Sequence, residues 1–269
     1  MAKTVAAFAG GPAVGKTSLL KTIYLFVLWF LLEKLGYSER DAYSRVNLFI
    51  EDVKISEPSL PAKILFETSL SVYIPSMRPD MLESKDVLGE LIFMVSPGFR
   101  KKQENIKRKA IETIVKADYV FLVLDYSRLT STLNEAISLL ELAKSYIPIE
   151  NMRRKKFYIL VNKADKATES EKSPPTISKE AINEIRDKFH YYFSAYVSEE
   201  YPLNKIFRGI FLTSAYVDET RKKPWARSLI KGALESIFQG EILSYLHSDL
   251  RNNFVRYLDE WLSYLKFEF

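Results

Sequence analysis

Short runs of consecutive apolar residues alternate along this chain with longer stretches whose apolar positions recur every three or four residues. The first run, residues 4–9, reads as a strand; Gly10, Gly11 and Pro12 break it, and a long apolar helix is expected over 16–35, stopped by Gly36. Residues 64–74 and 91–95 read as strands, with Pro75, Pro79 and Asp80 marking their connection. Helical spacing of Ile106, Ala110, Ile111, Ile114 and Val115 predicts a helix over 102–116, and 119–124 is a continuous β-branched and aromatic run. The alternation continues with helix 131–146, strand 157–161, helix 178–197, strand 206–212 and helix 226–246. Leu250, Phe254, Leu258, Trp261, Leu262 and Leu265 then add an amphipathic helix over about 249–266.

Strands alternating with helices imply an α/β fold, a doubly wound and mostly parallel sheet of six strands. Residues 37–61 are polar and broken by Pro58 and Pro61, so they are expected to form an insertion after the first helix. Linker-like composition appears only at 169–176, with Pro174 and Pro175, and reads as a loop. The 269 residues, 47% of them apolar, suit one large domain spanning 1–269.

Composition narrows the chemistry. With no cysteine there are no disulfides, thiolate metal sites or thiol-linked lipids. The strand expected from Thr4 leaves no room for a signal peptide, so the expected location is cytoplasmic. The apolar stretch 19–32 is too short for a membrane span and carries Lys21, so membrane contact is expected to be peripheral at most. A net charge of +5 is mild, and the basic runs at 100–102, 107–109 and 153–156 lack interspersed aromatics, which favours a solvated surface over a nucleic-acid face. His190 and His247 lie on helical patterns without carboxylates in register, which argues against a metal or general-base role.

The segment Gly10-Gly11-Pro12-Ala13-Val14-Gly15-Lys16-Thr17 satisfies G-x-x-x-x-G-K-[ST] between a strand and a helix, the context a phosphate loop requires. Residues Gly11 to Ser18 are the candidate nucleotide-binding set. Their backbone N–H groups can turn onto phosphate oxygens at a helix N-terminus, Lys16 can neutralise the β and γ phosphates, and the Thr17 hydroxyl can hold Mg²⁺. Pro12 removes one N–H from that cradle and stiffens it.

Asn162-Lys163-Ala164-Asp165 follows the strand 157–161 and resembles the base-reading N-K-x-D motif of GTPases, in which the Asp accepts from guanine. Thr213-Ser214-Ala215 resembles the loop that backs the base, making Ser214 and Ala215 candidates. With these motifs the chain resembles the Ras-like small GTPase superfamily over roughly residues 3–245, and the resemblance implies a P-loop G domain binding GTP or GDP with Mg²⁺. Gly98 then matches the switch II glycine, with Val95 where the family places an Asp and Phe99 where it places a water-orienting Gln. A missing Asp before a P-G pair resembles the bacterial MglA cell-polarity GTPases and related archaeal proteins. Residues 66–75 resemble the MglA switch I strand, which makes Thr68 the switch threonine and, with Thr17, a metal ligand; Ser69 and Ser71 are competing hydroxyls. Lys16 and Thr68 are the catalytic candidates. Arg78 and Arg100 are possible sources of transition-state charge, and Asp125 is read as a cap of the strand-to-helix turn.

The expected function is a guanine-nucleotide switch with slow intrinsic hydrolysis. The family resemblance implies a GTPase-activating or effector partner, roadblock-type dimers being the activators of the MglA proteins. Two alternatives are a nucleotide-bound scaffold that does not turn over, suggested by Val95 and Phe99, and a membrane-docking GTPase resembling the signal recognition particle receptor β subunit.

Overall fold

The computed structural model describes residues 2–53, 64–75, 87–99, 104–164, 183, 184, 187, 207–214, 256, 257 and 260. Seven strands form one sheet in the order β2-β3-β4-β1-β5-β6-β7: β1 Ala2–Ala9, β2 Val46–Val53, β3 Ile64–Pro75, β4 Val87–Val95, β5 Tyr119–Asp125, β6 Lys156–Asn162 and β7 Phe207–Leu212. From β4 through β7 neighbours run parallel, whereas β3 is antiparallel to both β2 and β4. The doubly wound α/β architecture is as expected, with one strand more than the six read from the sequence. The addition comes from the supposed insertion. Its residues form a short helix, α2 (Glu39–Arg45), and the edge strand β2. Ser38 caps α2 by accepting from the Asp41 N–H, so the polar residues that obscured this segment are its helix start.

The helices are α1 (Lys16–Trp29), α3 (Glu104–Lys116), α4 (Leu129–Tyr146) and the short α5 (Ile149–Arg154), which the apolar pattern did not suggest. Among the described residues, α1 lies against one face of the sheet while α3 and α4 cover the other. The strands show why. In β1, Ala6 and Phe8 enter the core under α1, while Ala7 and Ala9 enter the core under α3 and α4; β5 and β6 alternate in the same way. Burial on both faces explains their continuous apolar runs.

Five aromatic rings cross the α1 face from strand to strand: Phe93, Phe8, Phe121, Tyr158 and Phe211, with successive centroids 6.2, 5.3, 5.3 and 6.3 Å apart. Such cross-strand pairs fix register, and here they hold β1 at the centre of the sheet. The phosphate loop hangs from the end of that strand.

The first helix runs on as a π-helical turn, Phe30–Lys34, and stops at Leu35 before Gly36, whose φ of 64° takes the chain out as expected. Lys34 lies over the rings of Trp29 and Tyr257 and pairs with Glu260. Of the helix expected over 249–266, residues 256, 257 and 260 are described and are helical; 183, 184 and 187, within the expected 178–197 helix, are helical too. The expected 226–246 helix lies outside the described residues.

Candidate functional site

The turn from β1 into α1 is built by backbone conformations that few residues tolerate. Gly10 and Gly15 have φ of 148° and 93°, and Ala13 is left-handed at 58°. A Cβ at Gly10 would run into the Val123 carbonyl, one at Gly11 into the Glu135 carboxylate and one at Gly15 into the Asn162 amide. The loop is therefore pressed from β5, α4 and β6 at once, and its glycines answer those approaches.

Lys16 turns back over the loop, its Nζ donating to the carbonyls of Gly10 at 3.1 Å and Gly11 at 2.6 Å. Burial pushes its ammonium down to about 7, and the nearby Glu135 charge only partly opposes this. The hydroxyls of Thr22, Thr113, Thr132 and Ser138 bond back to carbonyls of their own helices or the preceding turn, but those of Thr17 and Ser18 make no such bond among the described residues. They are free to meet a phosphate oxygen or a cation. No group of three metal-ligating His, Cys, Asp or Glu side chains occurs among the described residues.

The second motif is drawn onto the first. Asn162 donates from Nδ2 to the Val14 carbonyl at 2.8 Å, and Thr213 donates to its Oδ1 at 3.4 Å. Lys163, left-handed like Ala13, donates to the Ala13 carbonyl at 2.7 Å and to Asp125 Oδ2 at 2.7 Å. Ala164 N–H donates to the Thr213 carbonyl, which brings buried Ser214 beside this corner. The glycine-rich loop, residues Asn162 to Ala164 and the Thr213–Ser214 turn thus form one cluster. Asp165 and Ala215 lie outside the described residues.

Asp125 is the buried pivot of the cluster. Burial alone would raise its carboxyl, but hydrogen bonds from Lys163 and from the Ser127 hydroxyl and backbone outweigh that and hold it below its ordinary value. Its capping role is as expected. Arg128 adds longer bonds, from Nε and Nη2 to Asp125 Oδ2 at 3.4 Å each, and Nη2 also donates to the Pro12 carbonyl at 3.2 Å.

The chain is a doubly wound α/β sheet whose central strand β1 runs through a glycine-built turn into α1. Among solved structures it is similar to the FeoB G-domain from Methanococcus jannaschii, at 13% identity and a TM-score of 0.41, over 91% of this chain and 99% of that one. It is also similar to the cytosolic domain of the T. maritima FeoB iron transporter in its GMPPNP form, at 15% identity and a TM-score of 0.37, over 90% of this chain and 63% of that one. No protein-family model and no curated protein sequence matches the chain. At those scores the likeness adds nothing to what the chain's own geometry shows.

The segment after β4 closes the loop's other side. Ser96 N–H donates to the Phe8 carbonyl at 2.8 Å and Phe99 N–H to the Gly10 carbonyl at 3.1 Å. Gly98 packs so tightly on Pro12 that a Cβ there would stand 2.6 Å from the Pro12 Cα. Phe99 is buried in the core beneath α3 and α4. Thr68 lies in β3 in register with Val95 of β4, which in turn pairs with Phe8 of β1; its side chain lies outside the described set. Arg78, Arg100 and both histidines lie outside the described residues as well.

Two side chains of this site had no signature in the sequence. Arg128 sits at the start of α4, and Glu135 two turns further on, where its carboxylate rests on Gly11 with Oε2 buried and unbonded among the described residues. Burial raises the Glu135 carboxyl, opposed by the charges of Arg128 and Lys16. Only the helical register of α4, with Ala136 and Ile137 facing the core, could have pointed to Glu135.

Among the described residues no helix is long and apolar enough to cross a membrane.

Proposed function

We propose that this chain is a guanine-nucleotide-binding molecular switch with slow intrinsic GTP hydrolysis, working in the cytosol with a protein partner that accelerates turnover or reads the bound state. The observation that carries this reading is the pair of bonds from Asn162 to Val14 and from Lys163 to Ala13. They join the Asn162–Lys163 corner to the glycine-rich loop, which supports a single ligand carrying both a guanine and a phosphate chain. Lys16 would meet the β and γ phosphates and the loop N–H groups the oxygens around them. Thr17 and Thr68 are the residues that would hold Mg²⁺, which when bound neutralises phosphate charge. Asp165 would accept from the guanine, with Ser214 and Ala215 behind the ring. The Val95, Gly98 and Phe99 pattern supports an MglA-like member of the Ras-like group, for which a roadblock-type partner is the natural candidate.

The buried state of Phe99 favours one second reading, a scaffold that keeps its nucleotide as a structural ligand, because a core phenyl ring cannot orient an attacking water. Identification of the co-purifying nucleotide, followed by competition of GDP, GTP and ATP against a labelled GDP, tests both. The switch reading expects GDP and GTP to displace the label and ATP not to, with Asp165→Asn weakening GDP severely. Displacement by ATP equal to that by GTP would end the guanine assignment, and GTP that survives long incubation with activating partners would favour the scaffold.

A further inference from the structure

We propose that Arg128 is a catalytic residue of this site, a guanidinium that the chain supplies from the turn just before α4 to the phosphates of a bound nucleoside triphosphate. The inference rests on the hydrolytic reading above and adds the residue that carries the charge.

Four observations converge on it. Pro12 has no N–H, so the cradle lacks one donor at this point, and the Arg128 guanidinium donates to the Pro12 carbonyl at 3.2 Å. Arg128 is also weakly committed. Its two bonds to Asp125 are 3.4 Å long and share one oxygen, whereas Lys163 holds that same oxygen at 2.7 Å. Asp125 is therefore compensated without Arg128. The Nη1 group makes no hydrogen bond among the described residues, and the side chain is 44% exposed, so the planar fork has donors to turn toward an incoming anion. Finally, the ring of Phe99 is buried and cannot orient an attacking water, which leaves charge stabilisation as the main catalytic resource of the loop.

In the step concerned, the oxygen of a water molecule bonds to the γ phosphorus and the bond from that phosphorus to the β–γ bridging oxygen breaks. The bonding pair stays on the diphosphate, and the water's protons pass to the phosphate product and solvent. Negative charge grows on the bridging and β oxygens, which a phosphate chain seated in the loop would bring toward Pro12 and the Arg128 guanidinium on its carbonyl. A guanidinium there is stronger in the transition state than in the ground state, which is the condition for raising the rate.

The test compares wild type with Arg128→Ala and Arg128→Lys in three measurements: GDP affinity, affinity for the GDP–tetrafluoroaluminate complex, and single-turnover hydrolysis of GTP. Arg128→Ala is expected to bind GDP within about threefold of wild type, to lose about tenfold or more in affinity for the fluoroaluminate complex, and to hydrolyse about 10 to 100 times more slowly. Arg128→Lys should recover part of both losses, and millimolar guanidinium ion added to Arg128→Ala should restore part of the rate. A residue that merely clamps Pro12 would move GDP affinity and fluoroaluminate affinity together and give no rescue, which overturns the proposal. Wild-type hydrolysis by a folded Arg128→Ala, or wild-type protein that binds GTP and leaves it intact, overturns it as well. Failure of wild type to bind guanine nucleotide would instead sink the functional reading on which it stands.

Discussion

Ala13 and Lys163, the two non-glycine residues with left-handed backbone among those described, are joined by a hydrogen bond of 2.7 Å from the Lys163 ammonium to the Ala13 carbonyl. Left-handed backbone is costly for residues bearing a Cβ, by roughly 1–2 kcal/mol each, and it persists where surrounding contacts over-determine it. Here the two strained positions stabilise one another across the site, with Asp125 completing the link.

Replacing Lys163 with Met should therefore cost more than a surface lysine would. It leaves the buried Asp125 carboxylate short of its best partner, a loss of roughly 3–5 kcal/mol for a broken buried pair. The pH dependence fixes the cause. The Asp125 carboxyl lies below its ordinary 3.8 in the folded protein, so its contribution is present above that value and fades as acid carries the pH through the folded one. Without Lys163 the carboxyl rises and this contribution shrinks. Urea unfolding at neutral pH and near pH 3 should show the gap between wild type and Lys163→Met narrowing in acid.

Lys16 should give the protein an alkaline signature of its own. Burial brings Lys16 from 10.5 to about 7, so between those values the unfolded chain carries a proton that the folded chain lacks, and the nucleotide-free protein gains stability as pH rises through that window. A bound phosphate chain favours the charged amine, so binding takes up that proton and weakens above about pH 7, by at most about tenfold per pH unit. Thermal melts with and without GDP from pH 6.5 to 9.5 should converge at the alkaline end. Curves that stay parallel would refute the burial of a titrating Lys16.

Phe99→Gln places a water-orienting residue type at the matching sequence position, yet it should not speed hydrolysis. The side chain points into the core under α3 and α4, and a buried amide there lacks partners among these apolar neighbours. The expected outcome is a loss of about 2–5 kcal/mol in stability with no gain in single-turnover rate. A faster enzyme would mean that the segment 96–99 leaves the position seen here.

Much of the site was legible because its chemistry is local. The phosphate loop is one contiguous turn whose glycines are demanded by backbone geometry, and Asn162 and Lys163 end a strand whose apolar run is unmistakable. Arg128 and Glu135 escaped because their roles come from tertiary placement: α4 lies beside the loop only once β5 has paired with β1. Strand β2 escaped for another reason. Val46–Val53 mixes Asn47, Glu51 and Asp52 with its apolar residues, so its pattern is diluted, and only pairing with β3 makes a strand of it. Phe99 was read as a switch position lacking its glutamine; the sequence held no sign that the ring belongs to the core.

The grip of Trp29, Tyr257 and Glu260 on Lys34 sets an order of events for the folding chain. The Lys34–Glu260 pair spans 226 positions, among the longest separations a chain of this size can bridge. Contacts so remote carry a large closure entropy and form late, after local helices and neighbouring strands have condensed. During synthesis the helix that carries Trp29 and Lys34 is made well before Tyr257 and Glu260, so this aromatic contact waits for them. A chaperone that shields exposed aromatic surface would have its longest opportunity there.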